Sequence, residues 1–230
     1  MKNRDIEEIY NIGCRESSFA GGEGSELIIN SGIAEYIYLS GRHWPIFDYH
    51  RGLSALIASE ETEYIHKSGI FWPSFDYDKG IDFLISTGNG EYLYRAGRFW
   101  EGFDYNRGLE ALGKMKSARY IYYAGKEWKY FDFKKGFEYL ISSGDPEFLF
   151  YAGAHWKHFD YIRGMEELLK TGSCEYIYKA GTLWKKFDYR RGWDLLEKNV
   201  SAGVKWRALA FQNGKWKPQL RTIWALLWEK

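Results

Sequence analysis

Any chemistry in this chain must draw on five histidines, two cysteines and a series of aspartates that recurs at fixed intervals. Cys14 and Cys174 stand far apart, and neither has a Cys or His partner at the short spacing of a zinc site. His155 and His158 flank Trp156 in a turn, with His43 at the place in its unit that His155 holds in its own; His50 and His66 are isolated. A histidine pair at that spacing can ligate a metal, but a solvated turn explains it more simply, and no metal or cofactor is expected. Asp48, Asp76, Asp104, Asp132, Asp160 and Asp188 each follow a Phe. An active site is one constellation, whereas a ladder of identical aspartates suits helix capping. Phosphate loops, dinucleotide fingerprints and HExxH are absent from the sequence. The expectation is a protein that is not an enzyme.

The aspartates belong to a larger period. EYIYLSGRHWPIFDYHRGLSALI begins at Glu35, and near copies begin at Glu63, Glu91, Arg119, Glu147 and Glu175, always 28 residues on. With the Glu of EYIY as position 1, apolar or small residues fall at 3, 6, 7 and 10 and again at 15, 18, 19 and 22, each set tracing one helical face. The spacing predicts an αα-hairpin: helix A of about 11 residues, a short loop, and helix B capped by the Asp. In Ser143-Gly144-Asp145-Pro146, Gly ends helix B, Asp caps the next helix A and Pro enters its first turn. EYIY also alternates as a strand does, but the 3/4 spacing persists through both segments. The predicted fold class is all-α, an α-solenoid of about eight hairpins. Residues 1–34 form a leader and a degenerate capping unit, 35–202 six regular repeats, and 203–230 an atypical terminal unit.

Position 7 is Gly in seven units, Gly13 to Gly181, and Trp recurs six times, Trp44 to Trp184. A helical Gly costs roughly 1 kcal/mol against Ala. Close approach of a bulky indole compensates for it, so packing rather than a ligand platform accounts for the Trp row.

The EYIY-type unit resembles the tandem 28-residue repeats of uncharacterised bacterial and phage proteins, and more loosely the helical-hairpin class of HEAT and TPR proteins. The resemblance covers about residues 35–199. It implies an α-solenoid that binds partners, and it carries over no catalytic residue.

Recognition then falls to outward side chains. Positions 5 and 8 of helix A differ from unit to unit and supply Arg95, Tyr123, Tyr151 and Lys179, and Arg42, Arg98 and Lys126. Position 4 adds Tyr38, Tyr94, Tyr122 and Tyr178, which either join this face or pack between units. Tyr and Arg are frequent interface anchors, so a protein partner is expected. On helix B, a base at position 17 and acids at 14 and 20 are spaced for an intrahelical ladder.

Charge runs along the chain: residues 1–62 hold 5 basic and 10 acidic side chains, residues 175–230 hold 12 and 5, although the whole is only +1. The basic end includes Lys185, Lys186, Arg190, Arg191, Lys205, Arg207, Lys215 and Lys217, an alternative nucleic-acid surface among aromatics. A small-ligand sponge or an enzyme lined by aromatics is the remaining alternative. No apolar run is long enough to cross a membrane, MKNRDIEEIY lacks a signal-peptide core, and two cysteines suit a reducing, cytoplasmic setting.

Overall fold

The computed structural model describes residues 3–192, so the expectations for the terminal unit 203–230 and for Lys205, Arg207, Lys215 and Lys217 lie outside the described residues. Among those residues every regular element is helical, and EYIY is not extended. Helix α1 (Asn3–Gly13) leads into α2 (Ser17–Phe19), a π turn (Ala20–Gly24) and α3 (Ser25–Ser31). Hairpins follow: α4 (Ala34–His43) with α5 (Tyr49–Ala58), α6 (Thr62–Phe71) with α7 (Tyr77–Ser86), α8 (Gly90–Phe99) with α9 (Tyr105–Lys114), α10 (Ala118–Glu127) with α11 (Phe133–Ser143), and α12 (Pro146–His155) with α13 (Tyr161–Lys170). Helix α14 (Cys174–Leu183) opens another. The described helices gather into two compact units, one of residues 3–115 with 127–131, the other of 116–126 with 132–192.

Helix A is shorter than its apolar spacing suggests. It ends at position 9, and the Trp is its extended cap, with φ between −85° and −70° and ψ between 132° and 141°. The Trp backbone N–H still donates to the carbonyl of position 6, at 2.9 Å for Trp44 and 2.8 Å for Trp156. Leaving the helix there swings the indole away from its own helix. Helix B starts as expected. Asp48, Asp76, Asp104, Asp132, Asp160 and Asp188 each accept the backbone N–H of position 17 at 3.0–3.2 Å. Asp145 likewise caps α12 through the N–H groups of Glu147 and Phe148.

After helix B the chain reverses through a left-handed residue at position 26. Gly32, Gly88, Gly144 and Gly172 take it at φ 66–71°, but Glu60 and Lys116 adopt it too, at 59° and 52°. A side chain there costs about 1–2 kcal/mol.

The buried stripe of helix A is Ile37, Ile65, Leu93, Ile121, Leu149 and Ile177; helix B contributes pairs such as Leu53 with Leu56 and Leu109 with Leu112. The degenerate first unit breaks at Gly22, whose φ and ψ are −124° and −116°. It nonetheless keeps the Phe-under-Gly contact of later units: a Cβ on Gly24 would strike Phe19, as one on Gly52 would strike Phe47.

Candidate functional site

Successive hairpins interlock through one repeated device. The indole of each Trp lies over the position-7 glycine of the preceding hairpin: Trp44 on Gly13, Trp72 on Gly41 and Trp100 on Gly69 in the first unit, Trp156 on Gly125 and Trp184 on Gly153 in the second. A Cβ at any of these glycines would overlap the ring. The same indole donates Nε1–H to the carbonyl of position 4 in that preceding hairpin, to Tyr10, Tyr38, His66, Tyr94, Tyr122 and Phe150, at 2.9–3.1 Å. Its edge meets the Phe before the capping Asp, as in Phe75–Trp100 at 5.0 Å and Phe159–Trp184 at 5.1 Å. The six described tryptophans, Trp44 to Trp184, are therefore consumed by packing, each in its own socket.

Position 4 sits at that junction. Tyr38 and Tyr122 are buried, and so are His66 and Phe150; as members of an outward binding face Tyr38 and Tyr122 are corrected, because the next hairpin covers them. Tyr94 and Tyr178 are half-buried. The hydroxyls of Tyr10, Tyr94 and Tyr122 reach position 9 of the next hairpin, and that of Tyr38 reaches position 8 of its own helix. Tyr10 bonds His43 Nδ1 at 2.7 Å, Tyr122 bonds His155 Nδ1 at 2.8 Å, and Tyr94 donates to Glu127. Tyr38 instead accepts from Arg42 at 2.9 Å, while that guanidinium lies 4.3 Å above the Phe71 ring. Burial, reinforced by the Glu127 carboxylate, pushes the Tyr94 hydroxyl up to about 12. The sequence reading placed His43 and His155 of position 9 in a solvated turn and did not pair that position with position 4. The signal was available: position 9 is His or Glu opposite Tyr10, Tyr94 and Tyr122, and Phe99 or Leu183 opposite His66 and Phe150.

Positions 5 and 8 lie nearer the surface than position 4. In the first unit Arg42, Arg95 and Arg98 are exposed. Lys67 and Arg95 each pair with the Glu four residues before, Glu63 and Glu91, and each lies over the ring at position 2, Tyr64 at 5.1 Å and Tyr92 at 5.5 Å. Arg98 meets Glu127 at 2.9 Å. In the second unit Lys126 is exposed, and Tyr123, Tyr151 and Lys179 are half-buried. Arg119 lies between Tyr120 and Tyr123, and Lys179 sits 4.7 Å from the Tyr176 ring while bonded to Glu175. Position 2, which the sequence reading passed over, thus supplies the rings that hold the cations.

On helix B the intrahelical ladder is corrected. The base at position 17 pairs with the acid at position 20 of the preceding helix B: Arg51 with Glu26, Arg107 with Asp82, Arg163 with Glu138, and Arg191 with Glu166. Neighbouring B helices bring these positions together, and the Asp at position 14 is already occupied by backbone N–H groups. Exposed pairs of this kind contribute about 0–1 kcal/mol each. Lys185, Lys186, Arg190 and Arg191 are all exposed at this end of the described chain.

His66 differs from the other position-4 residues. It is 8% exposed, its Nε2 has no hydrogen-bond partner among the described residues, and Tyr92, Phe99 and Trp100 surround its ring. Desolvation by burial lowers its pKa, opposed by a hydrogen bond with the Arg95 backbone and by the Glu63 carboxylate, and aided by the Arg95 and Lys67 charges. A lowered folded-state pKa means that the unfolded chain binds the proton more readily. Stability is then full above the unfolded value of about 6.5 and falls as pH drops below it, by at most about 1.4 kcal/mol per pH unit. Urea midpoints at pH 7.5 and 5.5 should show this loss in the parent and a smaller loss in His66→Phe, which keeps a ring as Phe150 does. Equal losses in both proteins would show that His66 does not carry it.

The fold and these surfaces define an all-helical, aromatic-rich chain of repeated hairpins. Among the described residues no helix is long and apolar enough to cross a membrane, and no three His, Cys, Asp or Glu side chains group as metal ligands. Compared with protein-family models, curated proteins and solved structures, the chain shows no match.

Proposed function

We propose that the chain is an α-solenoid of about eight 28-residue hairpins, of the EYIY-repeat kind, that works in the cytoplasm without catalysis by binding a protein. The observation that carries this reading is a tyrosine–cation pair repeated on helix A within each unit: Tyr64–Lys67 and Tyr92–Arg95 in the first, Tyr176–Lys179 in the second. The rings also pack on position 4 of the preceding hairpin, Tyr64 on Tyr38, Tyr92 on His66 and Tyr176 on Phe150, which fixes them in place while the cations above them face outward. Tyrosines and arginines held in place lose little entropy on association and anchor interfaces well. Such a surface suits a scaffold or an inhibitor; inhibition of a host defence factor, if the chain comes from a phage, is an analogy from the repeat type alone.

Affinity capture from nuclease-treated lysate of the source organism tests this reading. The parent should retain a defined protein that either Lys67→Ala/Arg95→Ala or Tyr123→Ala/Tyr151→Ala/Lys179→Ala loses, with helicity unchanged by circular dichroism. An identical retained set from parent and both variants would remove the helix A rows from the function.

A further inference from the structure

A groove of ≈ 640 Å³ opens in the second unit where the loop before α13 meets the start of α11. Its volume is that of a small-molecule site. Arg163 forms part of its wall, fixed by two bonds to Glu138 and lying 5.3 Å from the Phe137 ring. Lys134, Lys157, His158 and Lys185 line the rest, all exposed. Two carboxylates also line it, and both are engaged: Glu138 by Arg163, and Asp160 by the N–H groups of Ile162 and Arg163. Lys134, Lys157 and Lys185 form no ion pair with the described residues.

The scaffold does not demand this charge. The positions held here by Lys134, Lys157, His158 and Lys185 are held by His50, Pro73, Ser74 and Glu101 earlier in the chain, on the same Trp and Gly framework. The basic edge continues within the unit through Lys186 and Arg190. Rings accompany the lysines: His158 packs edge-on against Phe133 at 5.2 Å with its own surface exposed, and Phe159 and Tyr161 also line the groove.

We propose that this groove binds the backbone of a single-stranded nucleic acid. Lysines act as point charges toward phosphates, without the fork that pairs Arg with carboxylates. Rings set between cations offer stacking to bases, which an acidic peptide does not use. The surface is separate from the helix A rows, so loss of one activity leaves the other measurable.

Fluorescence anisotropy of the full chain with a labelled oligothymidylate of about 12 nucleotides is the test. Three lysine–phosphate contacts on a single strand predict about 20-fold weaker binding at 200 mM than at 50 mM salt. Lys134→Glu/Lys157→Glu/Lys185→Glu should weaken binding by about 30-fold or more at 50 mM salt, whereas Lys114→Glu in the first unit should leave it unchanged. All these lysines are exposed, and circular dichroism verifies folding. The proposal is overturned by absence of binding at 50 mM salt, by full affinity in the triple variant, or by polyglutamate of equal charge competing as well as unlabelled oligothymidylate.

Discussion

Replacement of Trp100 by alanine should destabilise the first unit by about 3–5 kcal/mol, the range for large buried aromatics. The indole is 2% exposed. It fills the socket over Gly69, donates to the His66 carbonyl at 3.0 Å, and packs its edges against Phe75, Tyr77 and Phe103. Alanine abandons all of these at once and leaves a cavity between hairpins that a rigid glycine backbone cannot close. Trp100→Phe should lose less, because it preserves part of the ring and forfeits the Nε1–H bond, worth about 1 kcal/mol. Urea unfolding followed by far-ultraviolet circular dichroism measures both. A loss below about 1 kcal/mol for alanine would mean that the indole is not the element joining α6 to α8.

Gly153→Ala should act against its own helix propensity. Alanine in a helix gains roughly 1 kcal/mol over glycine, so a reading of α12 alone expects stabilisation. The added Cβ, however, would overlap Nε1, Cε2 and Cζ2 of Trp184. That indole is buried, donates to the Phe150 carbonyl at 2.9 Å and abuts Phe159, so it has no easy retreat. Overpacking of this kind costs about 1–3 kcal/mol beyond the propensity gain, and a net loss of thermal stability is expected. The double variant Gly153→Ala/Trp184→Phe should lose less than the two single changes added together, since the smaller ring vacates the clash. Strict additivity, or a stabilised Gly153→Ala, would show that the socket is loose.

Much of the fold could be read from the chain because its determinants are local. Helical spacing, the Phe-Asp start of helix B and the Gly144-Asp145-Pro146 junction lie within one unit and need no knowledge of neighbours. The same locality explains the errors. Trp at position 10 continues the 3/4 spacing, so it looked helical, and only its extended backbone shows that it belongs to the next interface back. Asp, base and acid at 14, 17 and 20 have intrahelical spacing, but Arg163 found Glu138 in another helix. The left-handed Glu60 and Lys116 carry none of the glycine signal that Gly144 does. For the candidate surfaces, residue types at positions 5 and 8 were informative, whereas the burial of Tyr38 and Tyr122 depended on what stacks over them. The cluster of Lys134 with Lys157 and Lys185 joins residues from three consecutive repeats.

The interlock also has a direction. Each indole from Trp44 to Trp184 reaches toward the amino terminus, and the degenerate first unit, with Glu16 where later units carry Trp, provides the Gly13 receptacle and no plug of its own. A hairpin leaving the ribosome therefore meets a ready-made seat on its predecessor and in turn presents an empty one to its successor. Synthesis from the amino terminus and assembly share the same arrow, so a chain halted midway carries a single unfilled seat at its growing end and no stranded tryptophan.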